Sequence, residues 1–391
     1  MSVLTGPAVE LVGRPQRSRI DFVLVGALGL IAVIGVVMVF TVLAPRLEAL
    51  EVDRSQGLVR QLLFVMTGMI LFTAGSLVND RTWRDLAPIG YGLAIIMLLA
   101  VLSPLGDVRA GAQRWIGLGP FQLQPSELAK PAMILVLALL LAPAEVGKVP
   151  WSRLLRAIAV VAFPALLIFL QPDLGTMAVF GFVLVAMLFV AGATIRQLAA
   201  LFGAGLIGLW LALRMDLLQE YQIQRITSFF DPSSDPLSSI TDNYNQIQSQ
   251  IAIGSGGLFG RGLFEGTQTN LAFVPAQATD FIYTAVGEQL GFFGGLIVLG
   301  LFAVVVWRLL MAAVSARDRF GMLVATGVAA MIGFHVFVNV GMTLGLLPVT
   351  GLPLPMMSHG GSSFASMALA LGIAHAIWLR RTRVPGERHL L

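Results

Sequence analysis

DFVLVGALGLIAVIGVVMVFTVL, residues 21–43, decides the fold. It carries no charge after Asp21. It exceeds the ~7–15 residues of a secretory-signal core and reaches the ~20 that a helix needs to cross a bilayer. Behind Arg14, Arg17 and Arg19 it is expected to stay in place as a first membrane span. Further apolar runs follow at approximately 58–78, 87–103, 127–142, 155–170, 174–190, 195–213, 284–307, 321–347 and 361–379. The 391 residues are 57% apolar and only 12% charged, with a mean hydropathy of +0.85. A water-soluble domain carries about twice that charged share, so a soluble enzyme and a single-pass receptor are both excluded. Membrane β-barrels alternate over ~10-residue segments, whereas these runs are long and continuous. The expected fold is an all-α polytopic integral membrane protein of about ten transmembrane helices. The short fourth and fifth runs, and the brief turn at Gln171–Asp173, leave nine or eleven open.

With the N-terminus inside, 16 of the 25 Lys and Arg residues fall on inner segments. The positive-inside rule then places both termini in the cytoplasm. The division is a cytoplasmic tail at 1–19, spans 1–7 within 20–213, a large extracellular loop at 214–283, spans 8–10 within 284–380 and a cytoplasmic tail at 381–391. The basic balance of +4 follows membrane orientation, and nothing in it points to nucleic acid. The absence of cysteine rules out disulfides, thiolate metal sites and cysteine nucleophiles.

Two outer loops are long enough for chemistry. The first, Pro104–Ser126, contains GAQRWIGLGPFQLQPSE (111–127). In the second, Ile240, Tyr244, Ile247 and Ile251 recur at helical spacing while Asp242, Asn243, Gln246 and Gln250 fall elsewhere. That pattern predicts a short amphipathic helix lying on the outer interface. The glycines at 254, 256, 257, 260 and 262 fit neither a dinucleotide fingerprint nor a P-loop and read as a flexible turn.

Asp280 sits where this loop meets the eighth span, in PAQATDFIYTAVGEQLG (275–291). An ionisable group at the hydrocarbon edge is a functional candidate by default; the alternative is a helix N-cap, which Thr279 would serve equally. Glu288 shares that helical face but lies ~12 Å away at 1.5 Å per residue, too far for a proton-sharing pair. Glu127 and Lys130 are one turn apart, as in an intrahelical ion pair. With Arg109 and Arg114 they would alternatively make an outward-facing anion site suited to a phosphate or pyrophosphate, or the arginines with Trp115 are interfacial anchors. His335, Asn339 and Thr343 form a polar stripe in the ninth span, which interhelical hydrogen bonding explains. LPVTGLPLPMMSHGGSS (347–363) cannot be a continuous helix; irregular backbone of this kind walls a polar cleft, with Ser362 and Ser363 starting the tenth span. Asp173 is read as the cap of the sixth span. The four histidines have no metal-ligand spacing.

GAQRWIGLGPFQLQPSELAK (111–130), QPDLGT (171–176), NYNQIQSQIAIGSGGLFGRG (243–262), ATDFIYTAVGEQLGFFG (278–294) and NVGMTLGLLPVTGLPLPMMSHGGSS (339–363), in that order, resemble the signature segments of the SEDS family. DPSSDPLSS (231–239) and GTQTNLAFVPAQATDF (266–281) are closer to its elongation branch than to its division branch. The resemblance implies a ten-helix peptidoglycan glycosyltransferase that uses lipid II. The implied partners are a class B penicillin-binding protein and other elongation-complex membrane proteins. By position it places the family's loop aspartate on Asp280, its glutamate and lysine on Glu127 and Lys130, its arginines on Arg109 and Arg114, and its serine on Ser362 or Ser363. The chain departs from the family at Ala278, Gln289 and His359, where His, Glu and Tyr are common. A divalent cation such as Mg or Mn is a family-level expectation without a ligand cluster here. Asp280 would be the general base of an inverting displacement, with the cations neutralising the leaving pyrophosphate. The rival readings are a flippase, whose path the polar stripe would line, and a non-catalytic scaffold.

Overall fold

A computed structural model describes residues 20–109, 112–118, 121–143, 149–215, 222–223 and 242–381; the side chains of 108, 109, 112, 118, 121, 242 and 243 lie outside that description. The chain is an all-α polytopic membrane protein with one small sheet. Its long helices are α1 (Phe22–Ala49), α2 (Ser55–Leu77), α3 (Asp80–Val101), α4 (Pro125–Leu141), α5 (Trp151–Leu170), α6 (Leu174–Ala191), α7 (Ile195–Arg214), α10 (Ile282–Val314), α11 (Arg319–Thr343) and α12 (Gly361–Leu379). Among the described residues nine of these are long and apolar enough to span a membrane on their own. The remaining one, α4, has only 17 residues but is buried along most of its length. Helices α11 and α12 form the core, and α7 stands at the periphery with nearly every side chain exposed.

Helix ends in lipid must satisfy their own polar groups. Asp21 accepts from Leu24 N and starts α1, Asp173 accepts from Thr176 N and starts α6 as expected, and Thr194 with Gln197 forms a capping box on α7. One end of the bundle is laced by Arg84–Asp318 (2.6 Å), by Arg319 on Ala191 O, and by a buried Arg308–Asp21 pair at 2.9 Å. The other end carries the sheet, the 257–281 segment and the 344–360 segment.

Three features depart from the sequence reading. The loop after α3 is a three-stranded antiparallel sheet, β1 (Gly106–Arg109), β2 (Ala112–Leu118) and β3 (Phe121–Leu123), with a register shift at Asp107/Val108.

The amphipathic helix is present as α8 (Asp242–Gly256), and what the sequence reading lacked is the role of its polar side chains against the bundle. Tyr244, Ile247 and Ile251 are exposed, while Asn245, Ser249 and Ala252 are buried. Its polar side chains supply donors to the end of α11: Gln246 Nε2 reaches Met342 O and Leu347 O, Ser249 Oγ reaches Thr343 O, and Gln250 Nε2 reaches Leu344 O. These carbonyls lie in the last turn of the helix and just beyond it, where no further helical turn supplies i+4 donors. Ile240 and the side chains of Asp242 and Asn243 lie outside the described residues.

The glycine-rich turn, finally, is a packing surface. Helix α10 is broken at Gly291 (φ 71°). The exposed backbone is paired by the turn, with Phe292 N on Gly257 O, Arg261 N on Glu288 O and Gly262 N on Gln289 O. At Gly260 a Cβ would fall 2.1 Å from Gln289 O, so no larger residue fits that approach.

Candidate functional site

The segment before α10 is a run of turns containing the short helix α9 (Thr267–Asn270), and it is fixed by one internal bond and by three other elements. From the end of α1, Arg46 donates to Val274 O and Pro275 O, both at 2.6 Å. Gln277 Nε2 donates to Thr269 Oγ1. The backbone of the 344–360 segment joins through His359 N on Ala278 O. From α11, Asn339 Nδ2 donates to Asp280 O at 2.6 Å. Asp280 follows directly and is half-buried. The N-cap residue of α10 is Phe281, one position after Asp280. Its Oδ2 lies against Gly351, where an added Cβ would come within 3.5 Å. Asp280 thus combines a fixed backbone with partial exposure at this end of the bundle.

Glu127 and Lys130 adopt the ion-pair geometry at 2.7 Å, with side chains only 3% and 1% exposed. The ammonium also meets His335 Nε2 at 3.1 Å. An ammonium only donates, so Nε2 accepts and the proton resides on Nδ1, which donates to Pro353 O at 3.2 Å. Ser366 Oγ donates to Glu127 Oε2. Two of the three residues in the polar stripe of α11 are therefore bonded to neighbouring elements, and the third to α11 itself. His335 holds Pro353 O, Asn339 holds Leu352 O and Asp280 O, and Thr343 turns back to Val340 O.

The structure takes Glu127 and Lys130 out of the expected outward-facing anion site. Lys130 is sealed in the bundle with Glu127 as its counter-charge, and an unpaired charge there would cost several kcal/mol. Arg114 joins β2 to the α5–α6 turn through Gln171 O and Pro172 O. Arg109 belongs to β1 by its backbone, and its side chain lies outside the described residues. Ser362 serves as a clasp, accepting from Gln124 N and donating to Gln122 O, and Ser363 Oγ points to Met367 Sδ. Glu288 is fully buried, accepting from Gln268 N, Thr269 N and Thr269 Oγ1 at the start of α9. Sequence reasoning missed Arg46 and the His359 amide because both act across long sequence separations; a basic residue in a last helical turn was the sole local sign of the former. Among the described residues no three His, Asp or Glu side chains gather as a metal-holding group.

Residues 22–382 match the FtsW/RodA/SpoVE family, described as cell cycle proteins. Stage V sporulation protein E of Bacillus subtilis (strain 168) is 39% identical over 360 residues, 92% of this chain and 96% of that one. Peptidoglycan glycosyltransferase MrdB of Escherichia coli (strain K12) is 37% identical over 320 residues, 81% of this chain and 84% of that one. Among solved structures, the rod shape determining protein RodA of Thermus thermophilus superposes with a TM-score of 0.67 at 29% identity, covering 93% of this chain and 98% of its own. A chain from a study of polymerization and crosslinking by a peptidoglycan synthase complex gives 0.74 at 30% identity, covering 92% and 97%.

Proposed function

Because the chain belongs to the FtsW/RodA/SpoVE family, we propose that it is a peptidoglycan glycosyltransferase that polymerises lipid II, with Asp280 as general base. The acceptor sugar hydroxyl attacks the anomeric carbon of the donor while the bond to the pyrophosphate oxygen breaks. One displacement inverts the α-linked donor to a β-linked glycan. The hydroxyl proton passes to the Asp280 carboxylate, and undecaprenyl pyrophosphate leaves as the anion. The observation that carries this reading is the half-buried Asp280, its carbonyl fixed by Asn339 and its carboxylate against Gly351.

The leaving group needs positive charge rather than an acid. Arg109 and Arg114, on the sheet at the same end of the bundle, are the proposed contacts, with Ser362 and Ser363 at the adjoining start of α12. Glu127 and Lys130 serve this site from within the bundle. The site faces the extracytoplasmic side of a bacterial cytoplasmic membrane, in keeping with the excess of Lys and Arg on the opposite side. A class B penicillin-binding protein is the proposed partner, supported by the similarity to a chain of a synthase complex that joins polymerization to crosslinking. Within the family, the segments at 231–239 and 266–281 favour an elongation role of the RodA type. A flippase path along the α11 stripe is disfavoured, since those side chains are occupied by backbone carbonyls. The discriminating experiment is glycan synthesis from purified lipid II in detergent, where translocation has no meaning. Polymer formation is expected; its absence with intact substrate, folded protein and the partner present overturns the proposal.

A further inference from the structure

Helix α11 presents His335 and Asn339 one turn apart, both fully buried, and both end on the backbone of the 350–353 segment. Asn339 does more than join two elements. Its Nδ2 is shared between Leu352 O at 2.7 Å and Asp280 O at 2.6 Å, so one amide nitrogen spends both hydrogens on two carbonyls. The first of these belongs to the residue after Gly351, which lies against the Asp280 carboxylate; the second belongs to Asp280 itself. Among the described residues Asn339 Oδ1 has no partner although it is buried. A side chain kept in place only to connect helices would be expected to use both ends; here the donor end alone is used, and it is aimed at the backbone on either side of the carboxylate.

We propose that Asn339 is a positioning residue for Asp280. It fixes the base through the base's own peptide group and through the segment that supports its carboxylate. His335 forms the second rung of the same arrangement. The Glu127–Lys130 pair holds its ring, and the ring holds Pro353 O. The effect of those two charged residues on the reaction therefore runs through His335 and the 350–353 segment, without contact to substrate. This inference rests on the reading of Asp280 as general base given above.

The test measures glycan synthesis from purified lipid II by Asn339→Ala and Asn339→Thr, together with amide hydrogen exchange resolved to peptides. Threonine keeps one donor and serves one of the two carbonyls. Misplacement of a reacting group by about 1 Å costs up to about 100-fold in rate. The alanine variant should therefore lose about 10- to 100-fold in kcat with KM within about twofold of wild type, the mark of an interaction felt in the transition state. The threonine variant should fall between. Exchange should rise in peptides spanning 274–283 and 348–354 and stay unchanged in the other helices. A wild-type kcat in the alanine variant overturns the proposal, as does a loss of rate accompanied by faster exchange throughout the bundle. Where the alanine variant does not fold, the threonine variant decides by the same criteria. Asp280→Asn measured in parallel separates the two levels: wild-type turnover there removes the base itself, whereas an inactive Asp280→Asn beside a fully active Asn339→Ala removes only the positioning role.

Discussion

Replacing Lys130 by Met leaves the Glu127 carboxylate inside the bundle with Ser366 Oγ, 3.2 Å away, as its side-chain hydrogen-bond donor among the described residues. The lost partner sits at 2.7 Å, and neither side chain of the pair is more than 3% exposed. Removing one member of a buried pair costs about 3–5 kcal/mol, because the survivor is an uncompensated charge. Placement of Glu127 in the first turn of α4, where the helix dipole favours an anion, offsets part of that by about 0.3–1 kcal/mol. A net loss of about 2–5 kcal/mol is expected for Lys130→Met. Removing both charges in Glu127→Gln/Lys130→Met should recover most of it, since the pair's mutual attraction and its desolvation roughly cancel. The assay is unfolding of the purified protein in detergent, followed by tryptophan fluorescence across a denaturant series. A Lys130→Met protein as stable as wild type that has lost only activity would refute the reasoning. It would mean that the ammonium faces substrate instead of Glu127.

Gly351→Ala should impair turnover more than stability. The residue has φ +74°, which costs an L side chain roughly 1–2 kcal/mol, and backbone movement that relieves this strain shifts the segment lying against the Asp280 carboxylate, which the methyl itself meets at an ordinary contact distance of 3.5 Å; kcat in the lipid II assay is the check. His359 gives a pH dependence. Burial, and then the nearby Arg60 charge, hold its pKa below the usual histidine value. The unfolded chain therefore takes up the proton first as pH falls below about 6.5. The stability contribution is complete above that pH and is lost as pH falls towards the folded-state value. The unfolding midpoint should drop between about pH 7 and 5, and His359→Gln should show a smaller drop.

The ten long helices were legible because continuous apolar runs of bilayer length admit little else. Even the 17-residue α4 was found, since its lack of charge beyond Lys130 outweighed its shortness. The sheet was not. Its strands are short, and the alternation in AQRWIGL and FQL is brief beside the Gly and Pro residues that read as loop. The apolar stripe of α8 was legible; the bonds of its polar side chains to the end of α11 were not, since those partners lie 94 residues or more away. Asp280 was legible as a lone acid at a span boundary. What fixes it was not, since Arg46 lies 229 residues from Pro275 and Asn339 lies 59 from Asp280. The i, i+3 spacing of Glu127 and Lys130 gave their pairing. Their burial, which turns a surface ion pair into an internal one, depends on how α4, α11 and α12 pack and has no local signature.

The base assignment is tested most directly by glycan synthesis from lipid II with Asp280→Asn, purified with its partner and compared with wild type at matched folding stability. An isosteric amide cannot accept the hydroxyl proton, so polymer should fall by about 100-fold or more, while substrate and partner are still bound. Polymer at the wild-type rate would contradict the account.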